Sequence, residues 1–330
     1  MPKRRSDERG GGGGSRAEPR QQHLYLVIDD WDCGYSIRKV KFPFPSASSG
    51  GNSGADEQQR LPHPFMRLVI MGLHANGPAV QIIDVHTRSV LFGPSSNYPA
   101  FPIYFPIGGD KLIAMDSGSH ELCGPLVHDL HTRLDVTSYA VHSDGETILL
   151  STNGDDGSAT FAFDTRKFLW TRLGEWRLPF TGRGHFDSDL HALVGLDSEN
   201  LGYLVACDVP STNRRCPVPA WKRSKDKVFS EDPGERHVGA TLVYMGRRRK
   251  FCLVECVSVE AKGDNADQML LEKPGAVPQR SRYMYRLMTF TLKYDKMDDL
   301  RVKHGRVQYY KVPKKATTDF VCADPVAFWL

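Results

Sequence analysis

Ile82-Ile83-Asp84-Val85-His86-Thr87-Arg88-Ser89-Val90-Leu91-Phe92 sets the fold class of this chain: an apolar strand, an acid, a polar turn holding Thr-Arg, then a second apolar strand. The phrase returns as Val127-His128-Asp129-Leu130-His131-Thr132-Arg133-Leu134-Asp135-Val136, and again as Phe161-Ala162-Phe163-Asp164-Thr165-Arg166-Lys167-Phe168-Leu169-Trp170. The steps between its threonines, 87 to 132 and 132 to 165, are 45 and 33 residues. A repeat of that length built from strands is the signature of a radial β-array. The expected fold is all-β, a six-bladed β-propeller, with seven blades as the alternative.

A second recurring element supports strands throughout. A polar turn precedes a short apolar run in 108–115, 143–150, 188–195 and 246–254. Asp, Gly and Asn supply the tight conformations that hairpins need. Apolar residues do not recur at helical spacing between caps, so no helix is expected. The N-terminal strands 24–28 and 35–42 have no partner before them, and the apolar 320–322 and 325–330 have none after. Pairing 24–42 with 318–330 would complete one blade from both ends and remove an exposed edge. Trp329 is expected to be buried in that closing blade.

Outside the repeats, residues 1–22 are charged and glycine-rich (Gly10 to Gly14), the composition of a disordered tail. Residues 23–330 form the propeller, with flexible inserts near 45–60, 209–236 and 260–281. No run approaches the roughly 18 apolar residues of a membrane helix, and no secretory signal opens the chain. Seven cysteines without a C-x-x-C pair fit a reducing compartment. A cytoplasmic or nuclear protein is therefore expected, with Lys3-Arg4-Arg5 as a possible nuclear address. Cys252 and Cys256, four apart on a strand, share a face and read as small core residues. Charge is unevenly placed: residues 141–210 hold eleven acids and five bases, whereas 211–250 hold eleven bases and four acids, and 301–315 hold six bases and no acid.

Candidate chemistry is sparse. Asp84 with His86, and Asp129 with His131, invite a metal, but residues repeated at equivalent positions point to a repeated structural task, closing hairpin turns. Thr87, Thr132, Thr165, Arg88, Arg133 and Arg166 are read as turn and inter-blade contacts. Asp155-Asp156 lacks the spacing of a calcium loop. No phosphate, dinucleotide, zincin or nucleophile-elbow motif is present. The sequence assigns no catalytic residue, no metal and no cofactor. The densest basic cluster, Arg247, Arg248, Arg249 and Lys250, falls on a turn and is the candidate partner-binding site. Nucleic acid is not the expected partner, because interleaved exposed aromatics are missing there.

The stretch Phe163-Asp164-Thr165-Arg166-Lys167-Phe168-Leu169-Trp170, continuing as Gly174-Glu175-Trp176-Arg177-Leu178-Pro179-Phe180-Thr181-Gly182-Arg183-Gly184-His185-Phe186, resembles a kelch-type or F-box-associated propeller blade. With Leu190-His191-Ala192-Leu193-Val194-Gly195-Leu196 it is similar to an uncharacterised, grass-expanded plant family of unknown function, over roughly residues 24–330. The resemblance implies a propeller and a tie to ubiquitin-ligase substrate adaptors, and it transfers no catalytic residue. The expected function is a non-enzymatic protein–protein interaction module. An enzyme or small-ligand binder with its site at the channel mouth is the alternative.

Overall fold

Strand β18, Lys250–Glu260, explains why the apolar runs are continuous. Its even-numbered residues Cys252, Val254 and Cys256 pack into one buried cluster, while Phe251 and Leu253 pack into another on the opposite face. Side chains alternate across a strand, so a sheet covered on both faces needs apolar residues at every position. Both cysteines are fully buried, as their spacing implies.

The computed structural model describes residues 22–29, 35–42, 59–68, 79–84, 87–95, 102–108, 111–116, 135–154, 157–212, 214–246, 248–260, 281–312 and 325–330. Every regular element among them is a strand. Around β18 lie β17 (Glu235–Tyr244), β19 (Ser281–Tyr294) and β20 (Leu300–Lys311), in the antiparallel order β17-β18-β19-β20. The short β3 (Gln59–Arg60) adds to the β20 edge in parallel. Two further quartets run β9 (Asp135–Val141), β10 (Thr147–Gly154), β11 (Gly157–Asp164), β12 (Leu169–Gly174) and β13 (Phe180–Asp187), β14 (Ala192–Asp197), β15 (Leu204–Asp208), β16 (Trp221–Arg223). Their first strands, β9 and β13, pair in parallel, which joins both quartets into one eight-stranded sheet. The hairpins β5 (Ala79–Asp84) with β6 (Ser89–Ser95), and β7 (Pro102–Ile107) with β8 (Lys111–Asp116), complete the described sheets together with a terminal one.

The terminal sheet has the order β21-β1-β2-β4, from β1 (Leu24–Asp29), β2 (Tyr35–Val40), β4 (Pro64–Leu68) and β21 (Val326–Trp329). Leu24 pairs with Trp329 and Val27 with Val326, so the two ends of the chain share a ladder. The division is three strands to one, because Pro64–Leu68 takes the outer place; residues 320–322 lie outside the described residues. Trp329 is half-buried rather than buried. It packs edge-on against Phe42 at 5.8 Å and sends its indole N–H to Gln22 Oε1 at 3.1 Å. A tryptophan whose N–H needs a polar partner settles at such a boundary.

Buried side chains lie between neighbouring sheets. Leu24, Leu26 and Val40 meet Val254 and Tyr285 between the terminal sheet and β17–β20. Val194 and Leu204 meet Phe251 and Phe290. Leu149 and Leu173 meet Phe180 and Leu193. Phe105 and Ile107 of β7 meet Ile148. The first strands touch in succession: β9 with β13, β13 with β17, and β17 with β21. Thr241 of β17 donates its hydroxyl proton to the Pro325 carbonyl just before β21.

The repeated turns are keyed by aspartate. Asp84 accepts from the Thr87 N–H (3.3 Å), Asp164 from Arg166 and Lys167 (both 3.0 Å), and Asp187 from Asp189 (3.0 Å) and Leu190 (2.8 Å). Four residues after each aspartate the backbone turns left-handed, at Arg88, Phe168 and His191. At 165–168 and 188–191 this is the four-residue hairpin built on a type I turn. Thr-Arg therefore occupies different places in two copies of the phrase, positions three and four after Asp84 but one and two after Asp164. Thr165 Oγ1 donates to the Glu146 carbonyl at 2.6 Å, and Arg166 pairs with the Glu146 side chain. These contacts stay inside one quartet instead of crossing to a neighbouring one. His86, Asp129, His131, Thr132, Arg133, Asp155 and Asp156 lie outside the described residues.

Candidate functional site

The basic turn joins β17 to β18. Met245 N–H donates to the Lys250 carbonyl at 2.9 Å, tying the end of β17 to the start of β18. Gly246, Arg248 and Arg249 all have positive φ, at 77°, 58° and 56°. Glycine takes that conformation without strain, whereas a side chain opposes it by about 1–2 kcal/mol. Arg248 and Lys250 are exposed and Arg249 is half-buried. Arg247 lies outside the described residues. Gln22 flanks the turn: a Cβ at Gly246 would sit 3.8 Å from its Oε1, which also holds Trp329. The turn therefore stands beside the paired ends of the chain.

Three other bases of the 211–250 stretch are drawn to acids elsewhere. Lys222 pairs with Asp298, Lys225 with Asp299 (3.3 Å) and Arg223 with Asp197 (3.8 Å). Arg301 pairs with Asp226 at 3.1 Å. The Lys222, Lys225 and Arg301 pairs connect β16 and its following segment to β20 and the turn before it, while Arg223 reaches back to the buried Asp197 at the end of β14. Arg248, Arg249 and Lys250 have no ion pair among the described residues. Acid lies close by: burial, then the charge of Asp187, pushes the Tyr244 phenol up to about 12.

The 209–236 stretch, expected as an insert, carries β16 and buries Val228 and Phe229. A buried charge cluster that linear reading misses holds it. Glu255 is fully buried; its Oε2 accepts from Arg286 and from the Ser230 N–H, each at 3.0 Å, and its Oε1 lies 3.0 Å from His237 Nδ1. Arg286 also donates to the Val228 carbonyl at 2.8 Å, and the Phe229 ring stacks on His237. Both carboxylate oxygens are occupied by structural partners, so the cluster anchors a segment.

The family-like stretch 174–180 also has a structural task. Trp176 donates its indole N–H to the Cys216 carbonyl at 3.1 Å. Thr160 donates to the Trp176 carbonyl at 2.6 Å, and the Ser151 hydroxyl, 2.9 Å from Thr160 Oγ1, accepts from the Leu178 N–H. Two buried hydroxyls thus satisfy the connector between β12 and β13 as it crosses from one quartet to the next.

Among the described residues, no group of three or more His, Cys, Asp or Glu is arranged to hold a metal. No helix there is long and apolar enough to cross a membrane. No curated protein matches this chain. The model of one family, described as "Protein of unknown function (DUF1668)", matches residues 21–130 and 123–310. These segments span most of the strands that build the sheets and the basic turn, and the chain belongs to that family.

Proposed function

We propose that this chain is a non-enzymatic six-bladed β-propeller that docks an acidic protein surface through Arg248, Arg249 and Lys250 in the cytoplasm or nucleus. Six units account for the sheets: β21-β1-β2-β4, the units containing β5–β6 and β7–β8, and the quartets β9–β12, β13–β16 and β17–β20. The succession β9, β13, β17, β21 is the order that innermost strands of neighbouring blades would take. Kelch-like, F-box-associated likeness of the repeats fits an adaptor.

The observation that carries the docking role is the pair of consecutive left-handed arginines. Backbone strain of this kind clusters at functional positions. Protein is favoured over nucleic acid because Phe251, beside the turn, is fully buried and offers no face for stacking. The test is quantitative capture from cells with the wild type and with an Arg248→Ala, Arg249→Ala, Lys250→Ala form. Acidic proteins retained by the first and lost by the second, in a salt-sensitive manner, are expected. Identical captured sets would remove the turn from the function.

A further inference from the structure

Strand β13 leaves its partner at Gly182-Arg183-Gly184. Thr181 pairs with Leu196 and His185 with Val194, so three residues of β13 lie opposite the single Gly195. The excursion carries the segment to β9, where Gly182, Arg183 and Gly184 pair in parallel with Ser138, Tyr139 and Ala140. Part of this has a packing cause. A Cβ at Gly184 would stand 2.3 Å from the Phe180 ring, and one at Gly195 would stand 2.5 Å from it. Both glycines are therefore needed to seat Phe180.

Packing explains neither Gly182 nor Arg183. Gly182 has φ of 64°, and a Cβ there would meet nothing within 4 Å, so it borders open space. Between the two glycines Arg183 is solvent-accessible, yet enclosed enough that burial lowers its pKa. Its side chain has no ion pair or hydrogen bond among the described residues. The next titratable group, His185, is held neutral, its pKa lowered to about 3 by burial and then by the charge of Arg183; its Nε2 lies 2.9 Å from the Leu242 carbonyl. Arg183 thus presents an exposed positive charge opposite Tyr139, with no ion pair among the described residues, at the edge of the open space beside Gly182 where an anion can reach it. Bulges re-aim side chains, and a planar guanidinium suits the two oxygens of a carboxylate or phosphate.

We propose that Thr181-Gly182-Arg183-Gly184-His185 is an anion-binding loop in which Arg183 receives the carboxylate or phosphate group of a small soluble molecule in the space beside Gly182. The site is separate from the basic turn and stands without the docking role. Thermal unfolding of the full chain tests it, with inorganic phosphate and succinate as probes and sodium chloride matching the ionic strength. One probe or both should raise the wild-type Tm by about 2 °C or more, and which one does so separates phosphate from carboxylate. Arg183→Gln should lose that response, Arg183→Lys should keep a weaker one, and Arg248→Ala with Arg249→Ala should keep all of it. Without probe, Arg183→Gln should melt no lower than the wild type, since it removes an uncompensated charge. Failure of both probes to shift the wild type, an undiminished response in Arg183→Gln, or a marked loss of stability or folding in that variant would each overturn the site.

Discussion

Gly174 bears the indole of Trp176 directly on its backbone: a Cβ at Gly174 would stand 2.1 Å from Nε1 and 2.4 Å from Cδ1. No real contact is that short, so the family-like Gly-x-Trp spacing is a steric requirement. The indole closes the apolar cluster of Leu149, Leu173 and Phe180 from above the connector. Gly174→Ala should therefore displace Trp176 and break its bond to the Cys216 carbonyl. The expected loss is about 1–3 kcal/mol, read by chemical denaturation with tryptophan fluorescence. An unchanged midpoint would show that the connector relaxes freely.

His185 should give the protein a measurable acid limb. Its pKa is lowered in the folded state to about 3, from an ordinary value near 6.5, by burial and then by Arg183. The unfolded chain consequently binds a proton first as pH falls. Stability from the neutral imidazole is full above roughly pH 6.5 and declines below it, by up to about 1.4 kcal/mol per pH unit, until the folded form also protonates. Asp144 contributes lower down. Burial pushes its carboxyl up, but N–H donation from Glu146 and Thr147, the Thr147 hydroxyl and His142 together hold it below its ordinary value. Its share is lost as pH falls through the carboxylate range. The interval from roughly pH 4.5 to 6.5 thus isolates the histidine. His185→Gln should flatten the stability curve there while leaving the steeper loss at lower pH.

How much of this was legible varies with the physical origin of each feature. Cys252 and Cys256 could be placed because burial follows strand alternation, a local property. The turns could be located, but Thr-Arg was the wrong mark to align. Aspartate closes the loop through its carboxylate and fixes where the left-handed residue falls, while Thr and Arg fill whichever positions remain. Glu255 was illegible because its partners Arg286 and His237 are 31 and 18 residues away and meet it only through strand register. Lys222 and Arg223 looked like part of a basic block, since their acids, Asp298 in the β19–β20 turn and Asp197 at the end of β14, lie on other elements. Arg183 had a readable signal that linear motif searching passed over: glycine on both sides of a lone base inside a strand marks a bulge.

Shared pairing of the two chain ends makes the last strand a structural necessity. Leu24↔Trp329, Tyr25↔Phe328, Leu26↔Ala327 and Val27↔Val326 form the ladder, and Tyr25 stacks on Phe328 at 5.7 Å. Deleting residues 325–330 strips one edge of β1, uncovers Tyr25 and removes the carbonyl that Thr241 reaches. The expected loss is on the order of 2–4 kcal/mol, with an aggregation-prone edge. Differential scanning calorimetry and light scattering read both effects. A truncated chain with the wild-type melting temperature would mean that β21 adds nothing to the terminal sheet.

Arg248 and Arg249 set stability against recognition. Each holds a left-handed backbone that glycine adopts without side-chain strain, at φ of 58° and 56°. Changing both to glycine relieves that strain, although glycine also raises the entropy of the unfolded chain. The net effect should be a gain of up to about 1 kcal/mol. The same change removes two charges from the turn and should abolish binding of an acidic partner. A double variant that is more stable and no longer captures the salt-sensitive partner would show that the strain is kept for recognition. A variant that loses stability would instead mean that the arginine side chains hold the turn, and one that keeps its partner would move the docking surface elsewhere.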